Sequence, residues 1–183
     1  MSVLDIIHYG NPVLRKVCKP VNKFDNINNI INDMFESMYE ADGIGLAANQ
    51  VGIDMHIFII DISHTDETDD THIFINSKII AFENEKEIFQ EGCLSLPGIA
   101  LDILRPKKII LKYQTPDKIW HENKFEGLLG RAIQHEIDHL NGVFIVDRVT
   151  ELERIKYKAE LKSLEKESKD KMGKVTEKKG FLL

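Results

Sequence analysis

The segment His135-Glu136-Ile137-Asp138-His139 carries the side chains best suited to chemistry in this chain. Residues four apart on a helix lie on one face, so His135 and His139 can reach the same divalent ion. Glu136 lies beside them and can act as a base towards a water bound to that ion. The segment therefore predicts a hydrolytic metal site, in which a third protein ligand must come from elsewhere in the chain.

Several positions compete for this third ligand. A metzincin protease would have a histidine where this chain has Ile145. A gluzincin protease would use a downstream glutamate, but Glu151 and Glu153 follow the helix very closely in a strongly charged segment. Cys93, which has glycine and proline nearby on either side, is the better candidate. A zinc metallopeptidase with the same paired histidines stays the alternative.

The apolar pattern predicts both helices and strands around these residues. Helices are predicted over residues 26–41, 128–140 and 151–169, with a capped turn at 11–15, and strands over 55–62, 73–76, 86–90, 107–114, 119–125 and 143–146. The second helix has enough apolar residues to be a core helix, and Gly142 suits the left-handed position that ends it. Residues 64–72 are acidic without apolar periodicity, which favours an exposed loop over a second metal site.

Composition limits the possible functions. A chain of 183 residues with 43% hydrophobic content fits one globular domain. Its formal charge of -6 argues against a nucleic-acid binder that acts through bulk electrostatics, and we expect no sequence-specific nucleic acid as a partner. The N-terminus resembles no signal peptide and no apolar run could span a bilayer, so we expect a soluble, cytoplasmic protein with no membrane partner. The two cysteines, Cys18 and Cys93, are too few for a disulfide framework. Cys18 is interpreted as an inert core residue.

Three motifs in this order resemble the peptide deformylase family. They are Gly43-Ile44-Gly45-Leu46-Ala47-Ala48-Asn49-Gln50, Glu91-Gly92-Cys93-Leu94-Ser95 and Gln134-His135-Glu136-Ile137-Asp138-His139. The similarity covers about residues 1–150, although Asn49 stands where many members have proline or threonine. It implies an α+β fold in which mostly antiparallel sheets surround a central metal-binding helix. It also implies a catalytic domain over residues 1–150, whereas the charged composition of residues 151–183, which the similarity does not cover, predicts a C-terminal helix and flexible tail.

The same resemblance implies an activity and a metal. The activity is removal of the N-formyl group from the formylmethionine of nascent polypeptides, which releases formate. One divalent ion would be held by Cys93, His135 and His139, with water in the fourth position; Fe(II) is expected natively, and zinc, nickel or cobalt is compatible with these donors. Glu136 would take a proton from that water and later donate it to the departing amine.

The remaining site residues are also assigned by similarity. The Gln50 side chain and the Leu94 backbone N–H would stabilise the developing oxyanion. The residues expected to bind the substrate are mostly apolar, as a methionine side chain requires, and comprise Gly45, Ile44, Phe89, Leu128 and Ala132. A further hypothesis is that Asp138 pairs with Arg105 and supports the ligands from behind.

The C-terminal segment differs in charge from the rest of the chain. Residues 151–183 contain ten Lys/Arg and seven Asp/Glu, a net charge of +3. Because deformylases act on nascent chains, contact between this segment and the ribosome is a reasonable hypothesis. A solvated helix followed by a frayed or disordered end over residues 170–183 is the simpler interpretation.

Overall fold

The computed structural model describes residues 2–63 and 71–180, with side chains described as far as residue 173. Within these ranges the chain forms the helices α1 (Ile27–Glu40), α2 (Gly127–Leu140), α3 (Glu151–Lys156) and α4 (Lys158–Gly180), and the strands β1 (Gly45–Ala47), β2 (Ile57–Asp61), β3 (Thr71–Phe82), β4 (Lys86–Glu91), β5 (Leu101–Pro106), β6 (Lys108–Gln114) and β7 (Trp120–Glu126). Short 3-10 turns cover Pro12–Arg15, Ala48–Val51 and Ile145–Asp147. Most of the predicted acidic loop, residues 64–70, lies outside the described residues.

A five-stranded antiparallel sheet runs in the order β1, β2, β3, β6, β7. All five side chains of β2 are buried, which agrees with its almost continuous apolar sequence. Helix α2 contacts β1 and β2, and its residues Ile133 and Leu140 pack with Phe58 and Ile60 in one apolar cluster. The predicted core helix is therefore confirmed, and the sheet holds it in a fixed position.

A separate two-stranded antiparallel sheet, β4 with β5, carries the segment that contains Cys93. The apolar pattern of the sequence did not predict β5. Leu101 and Ile103 point inwards and alternate with exposed residues, as in an ordinary half-buried strand. However, the third inward position is Arg105, which is 3% exposed. A charged residue on the buried face hides the apolar alternation on which the prediction depends.

The end of α2 follows the prediction, but the next segment does not. Gly142 has a φ of 72°, and a Cβ at this position would lie 2.5 Å from the backbone oxygen of Arg15, so only glycine fits. The strand predicted over residues 143–146 is wrong, because a 3-10 turn forms over Ile145–Asp147. Asp147 closes this turn by accepting a 2.8 Å hydrogen bond from the backbone N–H of Phe144. A short buried apolar run does not by itself distinguish a strand from a turn of helix.

The C-terminal helix is longer than predicted and is interrupted at Tyr157. Helix α4 continues to Gly180, beyond the expected end near residue 169, and residues 181–183 lie outside the described residues. Leu161 and Leu164 are buried in the core. The Ser168 hydroxyl lies 2.9 Å from the backbone oxygens of both His8 and Tyr9, which share its single proton. The first half of α4 is therefore packed against the N-terminal segment.

The architecture agrees with the expected α+β class, with mostly antiparallel sheets around a central helix and a further helix at the C-terminus. In the part of the chain that the structure describes, no helix combines the length and the apolar character needed to cross a membrane.

Candidate metal centre

Helix α2 brings its two histidines together on one face. The Nε2 atoms of His135 and His139 are 3.2 Å apart. His139 is 1% exposed, and its ring meets Phe144 edge to face, so packing fixes its orientation. The four-residue spacing predicted this arrangement.

Cys93 completes the cluster from the segment that follows β4. Its Sγ atom lies 3.1 Å from His139 Nε2, and one donor atom from each of the three residues lies within 4.8 Å of the others. Two donors around a tetrahedral ion with bonds of about 2.0–2.3 Å are about 3.3–3.6 Å apart. The observed separations therefore suit a shared divalent ion. This is the single group of metal-binding type found among the described residues.

Glu91 fixes the orientation of His135. A carboxylate oxygen of Glu91 lies 3.0 Å from His135 Nδ1. Burial would raise the pKa of Glu91, but hydrogen bonds from His135 and Arg105 outweigh it and lower the pKa to about 2. Glu91 is therefore ionised and can only accept, so the proton of this hydrogen bond belongs to His135 Nδ1. The Nε2 lone pair is then available to a metal.

Glu91 is itself held by two arginines. Arg105 donates to its carboxylate at 2.7 and 2.9 Å, and Arg131 donates at 2.9 Å. Arg105 also donates to Asp138 at 2.8 Å, so the predicted pairing of Asp138 with Arg105 is confirmed. The pair is buried, and Arg105 also binds Glu91, which contacts His135. A plain surface ion pair would have no such link to a metal ligand.

Glu136 lies in the same site with little solvent around it. It is 4% exposed, and its Oε2 atom has no hydrogen-bond partner among the described residues. Burial raises its pKa to about 7, although the positive charge of Arg105 acts in the opposite direction. Its other oxygen lies so close to the backbone of β1 that a Cβ at Gly45 would come within 2.6 Å of it. This close approach explains why position 45 is a glycine.

Gln50 is buried beside Cys93 with its amide orientation fixed. Its Oε1 atom accepts a 2.9 Å hydrogen bond from the backbone N–H of Ala47. Its Nε2 atom donates to Ser95 Oγ at 3.0 Å and lies 3.9 Å from Cys93 Sγ. The N–H groups of Gln50 therefore point towards the cluster and not away from it.

Asn49, the position that departs from the usual family pattern, also contacts the metal-binding helix. It is 1% exposed, and its amide donates a 2.6 Å hydrogen bond to the backbone oxygen of His139. The same carbonyl, near the end of α2, also accepts a 3.0 Å hydrogen bond from the backbone N–H of Gly142. Asn49 therefore ties the loop after β1 to the end of the ligand-bearing helix.

A cavity of about 380 Å³ lies in front of the cluster. It is lined by nearly all the predicted site residues: Ile44, Gly45, Gln50, Phe89, Cys93, Leu94, Leu128, Ala132, His135 and Glu136. His139 is the exception, because it is almost completely buried. The predicted site residues therefore come together in one place, with Phe89 half-exposed at the edge.

Three residues that support the site, Glu91, Ser95 and Arg131, have no role that the sequence predicts. Ser95 contacts Gln50, Arg131 contacts Glu91, and Glu91 contacts His135. Each of these contacts joins residues at least 40 positions apart. No local spacing in the sequence signals them.

Comparisons with known proteins agree with this geometry. The sequence profile described as polypeptide deformylase matches residues 3–155. The chain is 43% identical over 169 residues to the peptide deformylase of Chromobacterium violaceum, covering 92% of this chain and 99% of that protein.

Solved structures give the same result. The crystal structure of peptide deformylase from Thermotoga maritima matches with a TM-score of 0.77 at 43% identity, covering 82% of this chain and 99% of that one. Peptide deformylase from Plasmodium falciparum matches with a TM-score of 0.85 at 34% identity, covering 91% and 98%. Because the profile, the relatives and the fold agree over most of the chain, the protein belongs to the polypeptide deformylase family.

Proposed function

We propose that this protein hydrolyses the N-formyl amide of formylmethionine at the start of new polypeptides and releases formate. The observation that carries the proposal is the convergence of Cys93 Sγ with the Nε2 atoms of His135 and His139, next to the buried carboxyl group of Glu136. A cavity with mostly apolar lining opens in front of this cluster. This combination suits metal-assisted hydrolysis of an amide attached to an apolar residue.

Cys93, His135 and His139 are proposed to hold one divalent ion. When bound, such an ion supplies a Lewis acid that polarises the formyl oxygen and makes a water molecule more acidic. We expect Fe(II) natively, with zinc, nickel or cobalt able to occupy the same donors. The full negative charge of the Cys93 thiolate would make the ion a weaker Lewis acid than three neutral histidines would. A base is therefore still needed to remove the water proton. Glu136 is placed to be that base.

Glu136 is proposed to move a proton in both directions. Its carboxylate first takes the proton of the attacking water and then donates it to the amine nitrogen that leaves. A pKa raised to about 7 by burial suits both roles near neutral pH, since the group can hold or release the proton at little cost. The positive charge of a bound divalent ion would lower the pKa from that value. The unpartnered Oε2 atom supports the proposal, because a water or substrate group can bind there.

Gln50 and Leu94 are proposed to stabilise the oxyanion that develops on the formyl oxygen. The Gln50 amide is oriented by Ala47 and Ser95, so its N–H groups are positioned before substrate arrives. Leu94 follows Cys93 directly and lines the same cavity. Losing one such donor typically removes about 3 kcal/mol of transition-state stabilisation.

The methionine side chain is proposed to occupy the apolar part of the cavity. This part is formed by Ile44, Phe89, Leu128 and Ala132, which all line it. Gly45 contributes backbone beside Glu136 without a side chain that would fill the space. A thioether chain is flexible and apolar, so such a lining can hold it without specific hydrogen bonds.

The peptidase alternative requires a glutamate as third ligand. Glu151 and Glu153 are exposed on α3, and Glu153 accepts a hydrogen bond from Lys156. Neither belongs to the group of donors found among the described residues, whereas Cys93 does. This placement favours deformylation over peptide cleavage.

Contact with the ribosome through the basic segment after residue 150 is a further part of the proposal. The segment carries a net charge of +3 while the whole chain carries -6, so attraction to RNA would fall as salt rises. Co-sedimentation with ribosomes over a salt series, with and without residues 174–183, tests it. Association that is independent of salt and of the deletion would exclude the contact.

The activity is tested by formate release from formyl-Met-Ala-Ser with anaerobically purified, metal-analysed protein. We expect one ion per chain and formate release from the wild type. Glu136→Gln should keep the ion and lose turnover by about 10²–10⁴-fold, whereas Cys93→Ala should lose the ion. Fully metallated wild-type protein that releases no formate would contradict the proposal.

A further inference from the structure

Arg148 lies outside the three motifs but reaches the polar network behind the metal centre. It follows the 3-10 turn after α2, and its side chain is 45% exposed. Arg148 Nε donates a 2.9 Å hydrogen bond to Asp138 Oδ2, and Arg148 Nη2 donates to Asp138 Oδ1. The Asp138 side chain is only 10% exposed. Arg148 therefore binds both oxygens of a buried carboxylate from the solvent side.

Asp138 connects Arg148 to Arg105, which lies deeper in the protein. Its Oδ2 atom also accepts a 2.8 Å hydrogen bond from Arg105 Nη1. The other two donating groups of Arg105, Nε and Nη2, are directed at Glu91, and Glu91 accepts from His135 Nδ1. Positive and negative groups thus alternate along a continuous chain of contacts from a half-exposed arginine to a metal ligand.

Arg105 is shared between the two carboxylates, because it binds both Asp138 and Glu91. Its guanidinium is planar and rigid, so one edge cannot move towards Asp138 without turning the other edge away from Glu91. With Arg148 present, Asp138 has two cations to balance its charge. Without Arg148, Arg105 would be the remaining ion-pair partner of Asp138 among the described residues. Arg105 would then be drawn away from Glu91, and the hydrogen bond that orients His135 would weaken.

We propose that Arg148 is a positioning residue for the metal centre. Because Arg148 binds Asp138, Arg105 keeps its hydrogen bonds to the Glu91 carboxylate. Glu91 in turn holds the His135 ring so that Nε2 is directed at the ion. This inference rests on the metal site proposed above and adds to it a residue that contacts neither metal ligand nor substrate. The competing interpretation is an ordinary ion pair near the surface, which would influence folding stability but not metal binding.

The test measures how fast zinc-loaded protein loses its ion to a chelator. Arg148→Ala should release zinc about tenfold faster than the wild type, at the lower end of the effect known for outer partners of metal ligands. Arg154→Ala is a matched control, because its side chain is 43% exposed and lies 3.8 Å from Asp147, which does not belong to the chain of contacts. It should release zinc at the wild-type rate. The melting temperature of metal-free protein is measured for each variant.

Two further variants separate positioning from stability. Arg148→Lys retains the charge and one of the two contacts, so it should restore part of the slow release. In an Asp138→Asn background, Arg148→Ala should cause no further acceleration, because its effect passes through Asp138. The proposal is overturned if Arg148→Ala releases zinc at the wild-type rate, or if its effect persists in full in the Asp138→Asn background. Wild-type protein that holds no zinc would instead reject the metal site itself.

Discussion

Individual side chains in this site act mainly through hydrogen bonds that fix other side chains. Gln50 illustrates this, because its amide can donate towards the cluster only while Ala47 and Ser95 hold its two ends. Ser95 is completely buried, so no solvent can take the place of its hydroxyl. Its contribution to turnover should therefore be measurable although it is not expected to touch the substrate.

We expect Ser95→Ala to lower kcat about tenfold, less than the 10²–10³-fold typical of removing an oxyanion donor outright. The substitution leaves the Gln50 amide in place but removes an acceptor that orients it. Ser77→Ala is the control, because Ser77 is also buried and its hydroxyl has no partner among the described residues. Steady-state formate release measures both variants. Equal activity of Ser95→Ala and wild type would show that Gln50 needs no support from this hydroxyl.

The two cysteines should differ in reactivity. Burial, with a smaller contribution from the charge of Asp54, raises the pKa of Cys18 to about 11. Its thiolate is therefore scarce until the pH approaches that value, and a thiol in this form reacts slowly. At about pH 8 an alkylating reagent should modify Cys93 in folded, metal-free protein and leave Cys18 intact until the chain unfolds. Peptide mapping checks this, and equal modification of both cysteines would contradict it.

The residues that local spacing could identify were those on a single element. His135, Glu136 and His139 share one turn of helix, so the sequence alone predicted their juxtaposition. Glu91 and Ser95 act through contacts with residues at least 44 positions away. Such contacts depend on how elements pack, and no periodicity in the sequence reports them.

At the level of elements, β1 and α2 approach each other unusually closely at Gly45. A Cβ on this residue would lie 2.6 Å from Glu136 Oε1, closer than these atoms can come. Helix α2 supplies the base and β1 lines the cavity. The two elements can therefore pack this closely only because residue 45 has no side chain. The amphipathic pattern predicted both α1 and α2, but it could not predict β5, whose buried face includes Arg105.

Gly45→Ala should keep its metal and lose about 10²-fold in turnover, because the carboxyl group of Glu136 must move away from the added methyl group. Gly173→Ala on α4 is the control, since a Cβ there would meet nothing within 4 Å. Metal analysis and formate release distinguish a displaced base from a lost ion. Full activity in Gly45→Ala would mean that Glu136 can work from another position.

In the molecule as a whole, the C-terminal helix belongs to the core for part of its length. Tyr157 donates to the backbone oxygen of Ala100, and Leu161 and Leu164 join an apolar cluster that includes Leu96 and Ile99. The charge of this segment predicts a solvated helix, which is wrong for its first half. The two buried leucines are spaced three apart, a short signal that the surrounding charges obscured.

Removing residues 158–183 should therefore lower the free energy of unfolding by about 3 kcal/mol or more, since two leucine side chains lose their burial. Removing residues 174–183 should change it little, because Leu161, Leu164 and Ser168 remain. Denaturant unfolding of metal-free protein measures both truncations. Similar stability of the two truncated proteins would show that the packing of α4 contributes little.

The most direct test of the central claim is the identity of the product formed from formyl-Met-Ala-Ser by fully metallated protein. Mass spectrometry distinguishes an intact tripeptide without its formyl group from fragments cut at a peptide bond. With Cys93 as third ligand, we expect the intact deformylated tripeptide together with an equal amount of formate, and both products formed about 10²–10⁴-fold more slowly with Glu136→Gln. Peptide fragments without formate, or a Cys93→Ala variant that keeps both metal and activity, would contradict the account.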